Sequence, residues 1–229
     1  MDLKMVIQGS KKENNNSLSS NFRFKTTDIG KFNSSNSDIS LKNFKKECRI
    51  LGLTMGNFSL IDLIHSVLKK TGRANVVIAT WSAGIKDAHQ VKWMIDTELI
   101  NDIKLLTDHS YKTRQKKYAA SIEDLFGIEN IRTTEMHAKF VLIENNNYKV
   151  AIRSSMNLNA NKTCELFEID EGNEIFDFLM DFVLHTFDNM KAGFIENSKI
   201  VNKSIKLFFD KNDNIETKKN WWELNNKTE

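Results

Sequence analysis

Apolar residues along this chain fall into short runs whose spacing alternates between two periods. "CRILGLTM" (48–55) is a strand candidate, and "FSLIDLIHSVLKKTG" (58–72) repeats its apolar positions at helical spacing and closes on Gly72. "ANVVIATW" (74–81) is a continuous apolar run of the kind buried on both faces of a sheet. "KDAHQVKWMIDTEL" (86–99) is helical, "NDIKLLTD" (101–108) is a strand, and "KTRQKKYAASIEDLFG" (112–127) is one helix ending at Gly127. Four closely spaced strands follow, "NIRTTE", "AKFVLIE", "YKVAIRS" and "CELFEID", and then a strongly apolar helix, "NEIFDFLMDFVLHTFDNM". Strands alternating with helices predict an α/β fold. Its sheet is expected to be mixed, mostly parallel and flanked by helices, with a late hairpin as the antiparallel element.

The flanks differ from this body. Residues 1–43 are rich in Ser, Asn and Lys and too poor in apolar residues for a core, so they read as a polar, flexible or loosely docked arm that Phe22 and Phe24 could pin. Residues 44–195 form the domain. Residues 196–229 are a charged extension with apolar islands, "SIKLFFD" and "WWELNN". Trp221 and Trp222 read either as an interface anchor or as a stub held by their own domain.

Composition narrows the class. At 229 residues with 40% hydrophobic and 28% charged positions, the chain has enough apolar material for one sizeable domain. The net charge of +3 is compatible with a phosphate-bearing partner and no more than that. Two isolated cysteines, Cys48 and Cys164, exclude a disulfide framework and a cysteine zinc site, and imply a reducing, cytoplasmic setting. No apolar run reaches the roughly 18 residues of a membrane span. The first twenty residues make a poor signal peptide.

The candidate chemistry sits in "HAKFVLIENNNYKVAIRSSMN" (137–157). It reads as two apolar strands joined by an Asn-rich turn, a residue type that tolerates positive φ. His137 and Lys139 are two apart, which on a strand points them to one face. The turn returns the chain, so Ser155 and Asn157 should end beside them. An imidazole can act as nucleophile or general acid near neutral pH, and Lys and Asn can donate to phosphate oxygens. A carboxylate usually fixes a catalytic imidazole's tautomer. Glu165 and Glu168 are the candidates, and their spacing of three lets only one face the site.

These residues resemble the HxKxxxxD…GSxN signature of the phospholipase D superfamily. His137 and Lys139 match its first part, Ser155 and Asn157 its second, and Glu165 the acidic residue of the next strand, with Glu168 as the alternative. The chain departs from the signature at Glu144, where Asp is usual, and at Ser154, where Gly is usual. The resemblance implies a phospholipase D-like half domain and a metal-independent, cofactor-free phosphodiesterase. In such an enzyme one His attacks phosphorus to give a phosphohistidine, and a second protonates the leaving oxygen. One motif copy per chain implies a homodimer with a shared active site.

The short, single-motif chain and its basic stretch "HSYKTRQKKY" favour nucleic acid as substrate, DNA over RNA, and hence an endonuclease. Lys112, Arg114, Lys116, Lys117 and, at the rim, Arg153 are the candidate backbone-binding residues, although a solvated helix face explains the cluster equally. The alternatives are a lipid phosphodiesterase and a non-catalytic DNA-binding module. His65, His89, His109 and His185 read as structural or surface residues. Trp81 and Ser82 end the second strand candidate, and Trp81 reads as core packing.

Overall fold

The computed structural model describes residues 26–32, 36–160, 162–195 and 198–210. Its strands are β1 (Thr26–Phe32), β2 (Cys48–Thr54), β3 (Ala74–Thr80), β4 (Ile100–Asp108), β5 (Ile131–Thr134), β6 (Phe140–Glu144), β7 (Lys149–Ser154) and β8 (Glu165–Glu171). Its α-helices are α1 (Leu60–Thr71), α2 (Ile85–Asp96), α3 (Tyr111–Arg114), α4 (Lys116–Phe126), α5 (Asn173–Asn189) and α6 (Ser198–Asp210). The eight strands form one sheet in the order β1-β2-β8-β7-β6-β3-β4-β5.

Alternation along the central strands supplies two cores. Val76 and Ile78 of β3, Val141 and Ile143 of β6, and Val150 and Ile152 of β7 pack with Leu63, Ile64, Val67, Val91 and Ile122 of α1, α2 and α4. The intervening Val77, Ala79, Phe140, Leu142 and Ala151 pack with Phe176, Met180 and Val183 of α5. A sheet covered on both faces needs apolar residues at successive positions, which is why these strands read as continuous apolar runs. Each fully buried aliphatic side chain contributes about 1.5–3 kcal/mol.

Local signals set the helix ends. Ser59 caps α1: its hydroxyl accepts from the Asp62 amide at 3.4 Å, and the Asp62 carboxylate accepts from the Ser59 amide at 2.8 Å. The reciprocal bonds contribute about 1 kcal/mol. Gly72 ends α1 at φ +80°, a left-handed conformation without penalty for glycine. At Gly52 a Cβ would meet Phe167 at 2.4 Å and Phe32 at 2.6 Å, so the bare backbone lets those two rings pack at 5.6 Å over β2.

The α/β class and the helix-flanked mixed sheet agree with the sequence pattern. The pairing balance does not: three ladders are parallel (β1–β2, β3–β4, β4–β5) and four antiparallel (β2–β8, β3–β6, β6–β7, β7–β8). The late strands β6, β7 and β8 insert between β2 and β3, so β2 and β3 each meet a late neighbour running the other way.

Two further expectations need correction. The polar arm is not uniform, because Thr26–Phe32 forms the parallel edge strand β1 and Ser37–Leu41 forms a 3-10 helix. In that helix the Ser37 hydroxyl bonds the Asp62 carbonyl at 2.9 Å on α1. The described body thus begins before residue 44. The helix expected over 112–127 is broken at Gln115, which takes φ −123° and ψ 42° between α3 and α4. From the C-terminal extension, α6 packs on α5 through a 2.9 Å contact of His185 Nε2 with the Ser204 carbonyl and an edge-on Phe182–Phe208 pair at 5.3 Å. His185 is accordingly structural. Phe22, Phe24, Trp221 and Trp222 lie outside the described residues.

Candidate active site

The strand directions place one end of the sheet where β3 and β7 finish and β6 and β8 begin. Ala79 pairs with Phe140, Phe140 with Arg153, and Ser154 with Phe167. Residues just beyond those pairs therefore converge, which is the convergence that the hairpin argument requires.

His137 and Lys139 do not lie on a strand, because β6 starts at Phe140. The lead-in instead places the Lys139 Nζ 3.1 Å from His137 Nδ1. With the ammonium as donor, Nδ1 accepts and the neutral ring carries its proton on Nε2. The Lys139 carbonyl accepts from the Ser154 amide at 3.1 Å, which ties the lead-in to the end of β7. Burial lowers the Lys139 pKa from its ordinary value, and the nearby Glu165 charge acts in the opposite direction.

Across the hairpin, the Ser155 hydroxyl donates to the Glu165 carboxylate and accepts from the Leu166 amide at 2.9 Å. The Thr163 hydroxyl donates to the other Glu165 oxygen at 3.1 Å. Glu165 is buried at the start of β8. Asn157 follows in the loop, its Oδ1 3.4 Å from the Thr80 hydroxyl. That hydroxyl has one proton and a 2.7 Å acceptor in the Ser82 carbonyl, so its hold on Asn157 is weak. The Thr80 oxygen in turn accepts from the Leu158 amide at 3.1 Å, fixing the backbone that carries Asn157.

Glu168 faces the other way. It pairs with Arg153 at 2.6 Å and Arg49 at 3.1 Å, and Arg49 also bonds Asp170 at 2.9 Å. The structure gathers His137, Lys139, Ser155, Asn157 and Glu165 at one end of the sheet, while Glu168 and Arg153 hold each other on the opposite face. Spacing alone left Glu165 and Glu168 as alternatives.

The motif's two departures behave differently. Ser154 fills the tight approach by bonding the Leu166 carbonyl at 2.9 Å and accepting from the Met156 amide at 3.0 Å. Glu144 is buried at the far end of β6, 3.7 Å from Lys149, and burial pushes its pKa up to about 7. The Asn-rich turn does not use positive φ. Asn145 accepts from the Asn147 and Tyr148 amides at 2.9 and 3.0 Å and donates to the Thr71 and Arg73 carbonyls at 2.9 and 3.1 Å.

In the basic stretch, Lys112, Lys116 and Lys117 are exposed. Arg114 is not part of that outward set. Its guanidinium stacks 3.6 Å from the Trp81 ring centroid, and its Nη2 donates to the Trp81 carbonyl at 2.8 Å. Trp81, read from sequence as core packing, is half-buried with its ring centroid 5.4 Å from that of His137. Its place at a strand end, the side on which open α/β sheets carry their sites, was the signal for this, outweighed in the sequence by the pull of an indole toward core packing. Among the described residues, no three His, Cys, Asp or Glu side chains gather as metal ligands, and no helix is long and apolar enough to cross a membrane.

No family model and no curated protein matches the chain. Among solved structures it is similar to the phosphatidylserine synthase of Haemophilus influenzae Rd KW20, with 13% identity and a TM-score of 0.43. That match covers 71% of this chain and 45% of the synthase, so it spans less than half the length of that protein.

Proposed function

We propose that this chain is one half of a metal-independent phosphodiesterase that cleaves nucleic acid, DNA foremost, as an endonuclease. The observation that carries the reading is the gathering of His137, Lys139, Ser155, Asn157 and Glu165 at one end of the sheet, with the imidazole exposed. The resemblance to the phospholipase D signature supplies the chemistry. A His137 ring nitrogen forms the bond to phosphorus, the P–O bond to the leaving oxygen breaks, and an imidazolium from a second copy of the chain gives that oxygen its proton. Water then takes the phosphoryl group from His137 and returns a proton to the second ring. Lys139 and Asn157 stabilise the charge on the non-bridging oxygens.

The Lys139–His137 contact fits a resting arrangement. Its ammonium engages the ring nitrogen until an anionic phosphate offers a stronger acceptor. Moving Lys139 onto the phosphate releases Nδ1, so substrate arrival and tautomer exchange are linked. Exposed Lys112, Lys116 and Lys117 form the backbone-binding patch.

A second reading, a lipid phosphodiester substrate, has one observation in its favour. Ile29 and Met55 are 73% and 58% exposed, and Leu53 and Leu166 are also exposed, so apolar side chains cluster around β1, β2 and the start of β8, next to Glu165.

The test is plasmid DNA with wild-type protein and His137→Ala, in EDTA, beside a phosphatidylcholine control. Cleavage by wild type alone supports the nuclease. Lipid turnover alone supports the second reading. DNA binding by both proteins without cleavage by either identifies a binding module, and cleavage by His137→Ala removes the assigned nucleophile.

A further inference from the structure

His137 lies on residues 135–139, between β5 and β6, without a ladder partner of its own. A nucleophile there needs bracing from elsewhere, because a free imidazole samples several rotamers and a misplaced one forfeits much of its rate. A closed circuit of contacts supplies that bracing. It starts at Asp108, buried at the end of β4. One carboxylate oxygen of Asp108 accepts from the Ser110 amide at 2.9 Å and from the Ser110 hydroxyl. That hydroxyl oxygen accepts from Arg114 Nε at 2.8 Å. The guanidinium carbon of Arg114 sits over Trp81, 3.6 Å from its ring centroid, and the group bonds the Trp81 carbonyl. The indole then meets the His137 ring at 5.4 Å with a 51° tilt. The circuit closes through Met136, next to His137 in sequence, whose amide donates to the other Asp108 oxygen at 3.3 Å.

We infer that Trp81 is a positioning residue for His137, held in place by Arg114, and that Arg114 is therefore not a phosphate contact. Resting on the proposed phosphodiesterase reading, this assigns two further residues to its reaction. A planar guanidinium suits the task, since it stacks on the indole and bonds the backbone and Ser110 at once. An ammonium is a point donor and cannot do all three.

The experiment combines kinetics with the His137 Hε1 resonance, assigned by its disappearance in His137→Gln. Trp81→Ala and Arg114→Ala should each lower kcat about tenfold to a hundredfold with KM changed less than about threefold. Both should shift the His137 resonance as the indole ring current is removed or moved. Trp81→Phe, which keeps a flat wall, should recover most of kcat, and Arg114→Lys should not. The inference is overturned if Arg114→Ala leaves both kcat and the resonance unchanged, or if it raises KM alone. A wild type without phosphodiesterase activity would overturn the proposed function. In that case the resonance still decides the positioning role: a shift in Arg114→Ala supports it, and no shift overturns it.

Discussion

The ammonium of Lys139 lies 3.1 Å from the Nδ1 of His137, so the charge stabiliser and the nucleophile of the proposed reaction are in contact before any substrate is present. Replacing Lys139 by Met keeps the stem and removes the donor. Turnover of a phosphodiester should fall about 10²–10³-fold, the usual cost of one preorganised donor, with the melting temperature nearly unchanged. Single-turnover kinetics beside a thermal melt would check this, and an unimpaired Lys139→Met would remove Lys139 from the chemistry.

Glu165 and Glu168 should part company under mutation. Glu165→Gln weakens the carboxylate that holds Ser155 and Thr163 beside Lys139, so activity should fall at least tenfold. Glu168→Gln leaves that cluster intact and loosens Arg49 and Arg153, which should cost about 1 kcal/mol of stability and less than twofold in rate. Denaturant titrations paired with initial rates separate the two, and the reverse ranking would contradict the geometry.

Glu144 predicts a pH dependence of stability. Burial raises its pKa from the ordinary 4.5 to about 7, so the folded chain holds this proton more tightly than the unfolded chain does. Its contribution is therefore fully present below about pH 4.5, declines as pH rises, and is gone above about pH 7. Glu144→Gln is neutral throughout. The variant should match wild type near pH 4 and exceed it at pH 8 by on the order of 2 kcal/mol, read from melts at the two pH values. Equal stability at pH 8 would mean that Lys149 fully compensates the buried charge.

The three exposed lysines predict a salt effect. On a His137→Ala background, which binds without turning over, changing Lys112, Lys116 and Lys117 together to Gln should weaken duplex binding. The slope of log Kd against log salt should fall by about 0.9 for each phosphate that the variant no longer neutralises. An unchanged slope would route the nucleic acid over another surface.

Much of the body was legible because local and global signals coincide. Gly72 announces the end of α1, and "NVVIAT" announces a strand buried on both faces. The hairpin logic brought Ser155 and Asn157 toward Lys139 without structural information. β1 was hidden because Ile29 points to solvent from an edge strand, so "TTDIGKF" has no apolar face to detect. The break at Gln115 was hidden because neither Pro nor Gly marks it. The pairing of Trp81 with Arg114 was hidden for a different reason. Their contact joins the end of β3 to α3 across 33 residues, and no periodicity reports a tertiary pair.

Asn145 fastens the β6–β7 turn to the carbonyls of Thr71 and Arg73, at the sheet end away from His137. From there both strands run five residues to the site in unbroken register, from Glu144↔Lys149 to Phe140↔Arg153. A surface loop of Asn residues is ordinarily where insertions are harmless. Here one added or deleted residue would slide β7 by roughly 3.4 Å against β6 and turn Ser155 to the opposite face. The loop's length is thus a dimension of the candidate site, set at a distance, and lineages of this fold should vary its side chains far more freely than its count.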